Sequence, residues 1–340
     1  MALTKFVAVV YVLLQYLLIL STQSESYIIL SRQIVPGERP IDAIVLVPSI
    51  SRALVQSGEY CKLTYQSLAH FVVDRQIHFY AIPSLESQPI KPIRNVVAFA
   101  VDEQQVRKPT PVSNPSLGYS AHVDPIDFCV VKRGGIAMFS LKDRLFYSRE
   151  IPLPSGTSAV AARRTGRYLC FADRENYNII DLEEAQLFPI LPISQAPPGD
   201  NVKIKPHITV ISDNEFLILS WTGASTLGLF ITGSGDPVRG TLEWSSHPLG
   251  ISLDYPYITT LLPDGTIEVH GVDLQTINQV IPPPSSASSP PPSPRAPPEV
   301  GVSQRLALIA SVCGYYVPSS QRAAHLKKVP VKLLRTPTTL

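Results

Sequence analysis

Along most of this chain the apolar residues gather in short runs separated by turn-forming residues, and a helical three-to-four spacing is hard to find over any useful length. The clearest case is 257–262 (YITTLL), followed by Pro263, Asp264 and Gly265, then by 266–270 (TIEVH). Asp-Gly between two strand-like runs marks a hairpin, because glycine accepts the positive φ that such a turn requires. Glu268 and His270 alternate with Ile267 and Val269, which predicts one wet face and one buried face.

The same unit recurs. Residues 128–131 turn at Gly134 and Gly135 into 136–139, and 168–171 turn through 173–176 into 177–180. Further on, 216–219 pass Gly223 and return as 227–230, and 306–309 pass Gly314 into 315–317. Measured from Phe128, Tyr168, Phe216, Tyr257 and Leu306, the intervals are 40, 48, 41 and 49 residues. A period of about 40–50 residues is that of a propeller blade. Two rougher units, 16–35 and 53–82, bring the expected number to seven. An isolated hairpin is marginal in water, so such units must bury their faces against one another, and closing them into a ring removes most strand edges. The expectation is an all-β, seven-bladed β-propeller. Its seam is expected to be imperfect at the N-terminus, where residues 1–11 fit no blade.

Composition supports this reading and narrows the rest. Charged residues are 16% of the chain, sparse for exposed helices, while 33 prolines and 18 glycines supply turns. A net charge of +2 is too small for a nucleic-acid binder. Residues 25–281 are assigned to the propeller, 282–300 to a flexible Pro/Ser-rich insert, and 301–340 to a last blade and a basic, truncated C-terminal segment. The insert's Pro-x-x-Pro spacing beside Arg295 also fits a ligand for an SH3-type partner. Residues 107–120 are read as a surface loop. Residues 1–24 have the layout of a secretory signal, a basic Lys5 before an apolar run and small polar residues, but with no N-x-[ST] sequon and no disulfide framework in the chain, buried strands are the preferred reading. Residues 58–73 interrupt the second unit. Without them 53–57 and 74–80 would join as a clean hairpin, so the segment is read either as a retained intron translated in frame or as an extended loop.

Candidate chemistry is thin. Cys61, Cys129, Cys170 and Cys313 form no close pair, and Cys129 and Cys170 lie in apolar runs where a thiol is a small core residue. No dinucleotide-binding, Walker or zinc-protease motif occurs. The stretch around Ser225 falls one residue outside a nucleophile elbow and sits between strands, so it is read as a turn. Seven histidines are scattered singly, and Asp173, Arg174 and Glu175 read as solvated turn charge. Trp221 and Trp244 are expected to pack between blades. No catalytic residue, cofactor or metal is expected. The densest basic cluster, Arg163, Arg164 and Arg167, precedes a strand and reads by default as a solvated turn; it is also the candidate interaction loop for an acidic partner or anionic headgroup.

Residues 163–194 (RRTGRYLCFADRENYNIIDLEEAQLFPILPIS), 215–244 (EFLILSWTGASTLGLFITGSGDPVRGTLEW) and 253–270 (LDYPYITTLLPDGTIEVH) carry a family resemblance. They resemble the citron-homology (CNH) domain of fungal proteins related to the TGF-β-receptor-associated and vacuolar protein sorting family, subunits of the CORVET and HOPS tethering complexes. The likeness covers about two-thirds of the chain. It implies a cytoplasmic, non-catalytic propeller held peripherally on endosomal or vacuolar membranes, docking a Rab-type small GTPase or other tethering subunits. It brings no catalytic residues. The long α-solenoid that follows the propeller in such proteins is absent from this sequence. A secreted propeller hydrolase or lectin, and a regulatory CNH module of a kinase or Rho exchange factor, are the alternatives.

Overall fold

The computed structural model of the protein describes residues 11–13, 16–21, 28–39, 41–58, 75–108, 124–154, 159–197, 204–283, 308–311 and 314–316. Among these residues the fold is all-β apart from short 3-10 turns and one five-residue helix, α1 (Glu103–Arg107), capped by Asp102, whose side chain accepts from the Gln104 N–H. No helix among them is long and apolar enough to cross a membrane. The chain divides into two compact units. One comprises Met1–Leu191 with Ser212–Phe216 and Gly233–Gly235, and the other comprises Pro192–Ile211, Leu217–Thr232 and Asp236–Leu340.

The first unit opens with a three-stranded sheet of β1 (Tyr11–Leu13), β2 (Tyr16–Ser21) and β3 (Ile28–Ile34). The apolar run of 6–20 thus contains two antiparallel strands. A second three-stranded sheet follows, of β4 (Ile41–Val47), β5 (Arg52–Ser57) and β6 (Gln76–Ala81). Its β5–β6 ladder runs without a break from Arg52↔Ala81 to Ser57↔Gln76, the pairing that the sequence suggested once the interruption is set aside. Residues 59–74, nearly all of that interruption, lie outside the described residues, as do most of 282–300 and the greater part of 1–24.

Two four-stranded sheets complete the unit. They are β7 (Ala98–Val101), β8 (Ile126–Val131), β9 (Gly135–Leu141) and β10 (Leu145–Pro152), then β11 (Ala161–Thr165), β12 (Tyr168–Ala172), β13 (Asn176–Asp181) and β14 (Gln186–Pro192). Each runs antiparallel in chain order, the up-and-down unit of a propeller blade. Apolar side chains of neighbouring sheets within this unit meet one another. Leu54, Ile77 and Phe79 of the β4–β6 sheet share a core with Phe99, Phe128 and Val130. Cys129, Val131 and Ile136 share another with Leu169, Phe171 and Ile180. Phe128 stacks on Phe139 at 5.4 Å and meets Phe79 edge-on at 6.5 Å.

The second unit repeats the plan with β15 (Ile208–Ser212), β16 (Glu215–Trp221), β17 (Thr226–Thr232) and β18 (Leu242–Trp244), then β19 (Gly250–Asp254), β20 (Tyr257–Leu261), β21 (Ile267–Gly271) and β22 (Ile277–Ile281). The β20–β21 hairpin turns where Asp-Gly predicts it. Gly265 takes φ of 88°, its N–H donates to the Leu262 carbonyl at 2.9 Å, and Asp264 accepts from the N–H and the hydroxyl of Thr266. Trp244 is buried. Its indole N–H donates to the Thr260 hydroxyl at 2.9 Å, and its ring lies 4.9 Å from that of His270. A Cβ on Gly228 would come within 2.7 Å of the Trp244 ring, so only glycine lets β17 approach it. A last pair, β23 (Ile309–Ser311) and β24 (Gly314–Tyr316), forms a two-stranded sheet.

Two expectations are corrected. The fold is of the β-propeller class, but the described residues make five blades, not seven: the β4–β6 sheet and the four four-stranded sheets. Counting hairpins overcounts blades, because a hairpin becomes a blade only where outer strands extend it and neighbouring sheets cover it. The three-stranded β4–β6 sheet qualifies through the core it shares with the β7–β10 sheet, and the β23–β24 sheet has only two strands. The second correction concerns the face of Glu268 and His270. His270 is as buried as Ile267 and Val269, since a blade covered on both sides has no wet face.

Replacing Trp244 by Ala removes the largest fully buried side chain of the second unit together with its hydrogen bond to Thr260. The expected loss is about 3–5 kcal/mol, read from denaturant unfolding of the whole chain. A loss well under about 1 kcal/mol would contradict the burial of this indole.

Candidate functional site

The three arginines singled out by the sequence do not share a loop. Arg163 and Arg164 lie on β11 and only Arg167 is in the turn after it, because β11 begins two residues before the cluster. Their fates differ. Arg164 is buried; its Nε donates to the Gly166 carbonyl at 2.9 Å and its guanidinium reaches the Cys129 sulfur at 3.6 Å. Arg167 pairs with Asp181, with Glu183 at 3.1 Å and with Glu184 at 3.0 Å, and lies over the Tyr168 ring. Arg163 is half exposed, with Glu103 at 3.7 Å. Burial alone would raise the Asp181 carboxyl, but bonds from Arg167 and from the N–H groups of Glu183 and Glu184 outweigh it and hold it below the usual range.

A different set of cations shares a cavity. The β8–β9 hairpin turns at Arg133 and Gly134, closed by the Lys132 N–H donating to the Gly135 carbonyl at 2.8 Å. The β12–β13 turn carries Arg174. These turns, with Arg75 at the start of β6, line a cavity of about 800 Å³ within the first unit. Glu150 is the one acidic residue in its lining, and Val97 and Val160 give it apolar wall. Arg75 is engaged, with Asp42 at 3.5 Å and a bond to the Val97 carbonyl at 3.2 Å. Among the described residues Lys132, Arg133 and Arg174 form no ion pair. Asp173 cannot neutralise its neighbour Arg174. One of its oxygens accepts from the N–H groups of Glu175 and Asn176, and the other from the Asn178 amide. Residues 173–175 are thus a turn, as expected, in which Asp173 is spent on the backbone and the Asn178 amide, and Arg174 forms no ion pair with either Asp173 or Glu175.

The remaining candidates are structural. Ser225 sits in the β16–β17 turn, its N–H held by the Thr222 hydroxyl at 3.0 Å. His207 and His247, 40 residues apart in sequence, bring their rings to 5.4 Å. His207 Nε2 donates to the Pro248 carbonyl, and His247 Nε2 donates to that of Lys205. Nδ1 of His247 is then the acceptor for the Thr226 hydroxyl. Both rings are used as staples, and no group of three His, Cys, Asp or Glu that could hold a metal occurs among the described residues.

Cys129 and Cys170 are completely buried and unpaired with each other. Burial pushes the Cys129 thiol up to about 11 despite the opposing pull of Arg164, and pushes Cys170 up further. At neutral pH both stay protonated and unreactive. Mass-spectrometric mapping after iodoacetamide treatment is expected to find positions 129 and 170 unmodified in the folded chain and modified in urea. Alkylation at native rates typical of free cysteine would contradict this packing.

Burial also lowers the imidazoles of His78, His247 and His270, and in His270 the Glu268 carboxylate only partly opposes it. The unfolded chain takes up these protons near pH 6.5 and the folded chain resists them, so their contribution to stability is present above pH 6.5 and is lost as pH falls. The thermal midpoint is expected to drop between pH 7 and 5. A flat midpoint over that range contradicts neutral, buried imidazoles.

The sequence pattern of the "CNH domain" family matches residues 46–288. "Transforming growth factor-beta receptor-associated protein 1" of Bos taurus is 29% identical over 195 residues, which are 56% of this chain and 20% of that protein. "Vacuolar protein sorting-associated protein 3" of Schizosaccharomyces pombe is 23% identical over 119 residues, 35% of this chain and 13% of that protein. The chain therefore spans about a fifth or less of the length of these relatives. Among solved structures, a chain of "Crystal Structure of Mitotic Checkpoint Complex" superposes with a TM-score of 0.52 at 12% identity, covering 91% of this chain and 82% of that one. That likeness is one of fold.

Proposed function

This chain belongs to the CNH domain family, and from that premise we propose that it is a non-catalytic protein-interaction module of a membrane-tethering assembly in endosomal and vacuolar transport. It docks a Rab-type small GTPase or other tethering subunits and is held peripherally on the cytoplasmic side of the membrane. The observation that carries this reading is the family match over 46–288, joined to relatives that include a vacuolar protein sorting-associated protein. The architecture supports it. Strands such as β16, in which six of seven residues are buried, are consumed by the core, so turns and outer strands are what a partner can reach. Of the three arginines in the sequence-based candidate loop, Arg163 is the one left for such a partner, since Arg164 is buried and Arg167 is neutralised by three carboxylates.

The test is affinity capture with the tagged full chain from cells of its own source, with Rab-type GTPases loaded with a GTP analogue or GDP. The expected outcome is enrichment of tethering subunits or of a GTPase in one nucleotide state, reduced several-fold by Arg163→Glu. A tagged chain that is secreted and glycosylated, or capture that is indifferent to both nucleotide and partner, overturns the reading.

A further inference from the structure

We propose that the cavity between the β8–β9 and β12–β13 turns binds a compact organic polyphosphate, a small ring or chain bearing several phosphate groups. The argument begins with charge. Arg75, Lys132, Arg133 and Arg174 line one cavity with a single carboxylate, Glu150, in a chain whose net charge is only +2. Like charges brought together by folding repel, and three of these four find no ion pair among the described residues. Asp173, next to Arg174, is held by backbone and amide donors. A cavity lined in this way attracts an anion.

Shape then selects the anion. A volume of about 800 Å³ lies in the range of small-molecule sites. It is too large for a lone phosphate to fill, and its cations are gathered from two turns and the residue before β6 within the span of a compact ligand. Two guanidinium groups offer paired donors that match phosphate oxygens, and Lys132 adds a point charge. Val97 and Val160 supply apolar wall against which the organic frame of such a ligand can lie. Gly134 keeps the turn open: a Cβ built there meets nothing within 4 Å, so the tip between Arg133 and Gly135 leaves room for a bound group. The inference is independent of the docking reading, since it rests on other residues.

The experiment is isothermal titration of the full chain with inositol hexakisphosphate, with inorganic phosphate and an oligoglutamate peptide as comparisons. The chain is expected to bind the hexakisphosphate and to bind phosphate and peptide far more weakly. The paired change Lys132→Glu with Arg133→Glu is expected to weaken binding at least about tenfold, the loss of one or more charge-assisted bonds. Gly134→Glu, which adds a carboxylate where there is open space and leaves every cation in place, is expected to do the same while the unfolding midpoint stays unchanged. Arg163→Glu, outside the cavity, is expected to leave affinity within about twofold. Vesicles of phosphatidylcholine with and without a phosphatidylinositol bisphosphate separate the sources. Capture by the phosphorylated vesicles assigns the site to a lipid headgroup, and binding of the soluble ligand alone assigns it to a free metabolite. Absent hexakisphosphate binding, wild-type affinity in Gly134→Glu, an equal loss in Arg163→Glu, or tighter binding of the oligoglutamate each overturns the proposal.

Discussion

A strand that is apolar on both faces cannot remain in contact with water, and most of this molecule follows from that constraint. In β16 and β20 nearly every residue is buried, so each sheet needs cover on two sides, and in this chain the cover is another sheet. The side chains that satisfy the constraint are contributed mutually. Phe79 packs on Phe128 of the following sheet, and Trp244 reaches Thr260 and His270 of the one after its own. Polar groups inside such a stack must find partners without water, which is why Trp244, His207 and His247 carry specific hydrogen bonds. The surface is then left to turns and to the outermost strands.

That division explains what could be read from the sequence. The second and third strands of each blade are short, apolar and joined by turns with clear chemistry, and Phe128, Tyr168, Phe216 and Tyr257 do fall in β8, β12, β16 and β20. The outer strands leave no such trace. In β10, five consecutive residues from Phe146 to Glu150 are exposed, and β14 carries Pro189 and Pro192. Their place is fixed by pairing with the strand before them, not by their own pattern. The blade count failed for a related reason: a hairpin signal says nothing about whether further strands or neighbouring sheets join it.

The candidate site was legible only in part. A basic cluster in sequence, Arg163 to Arg167, becomes a largely self-neutralised set, because acids as distant as Glu103 and Asp181 converge on it. The cations that do share a cavity come from two separate hairpin turns and the start of β6. Both turns were foreseen, but nothing in one-dimensional spacing says that the same end of adjacent blades brings them together. The usable signal was confined to one turn, Lys132 and Arg133 with no acid beside them; Arg174 lies between Asp173 and Glu175, and its sequence neighbours give no hint that it stays unpaired.

The β5–β6 ladder has a consequence for how this fold tolerates change. Its final rung, Ser57↔Gln76, completes the sheet before the connecting chain begins, so the blade's hydrogen bonds are indifferent to what bridges the two strands. Chain-closure entropy grows only with the logarithm of length, so halving or doubling that bridge shifts stability by roughly 0.6 kcal/mol. Exon shuffling, alternative splicing or the grafting of a foreign module could therefore act at this one edge of the blade while its architecture persists.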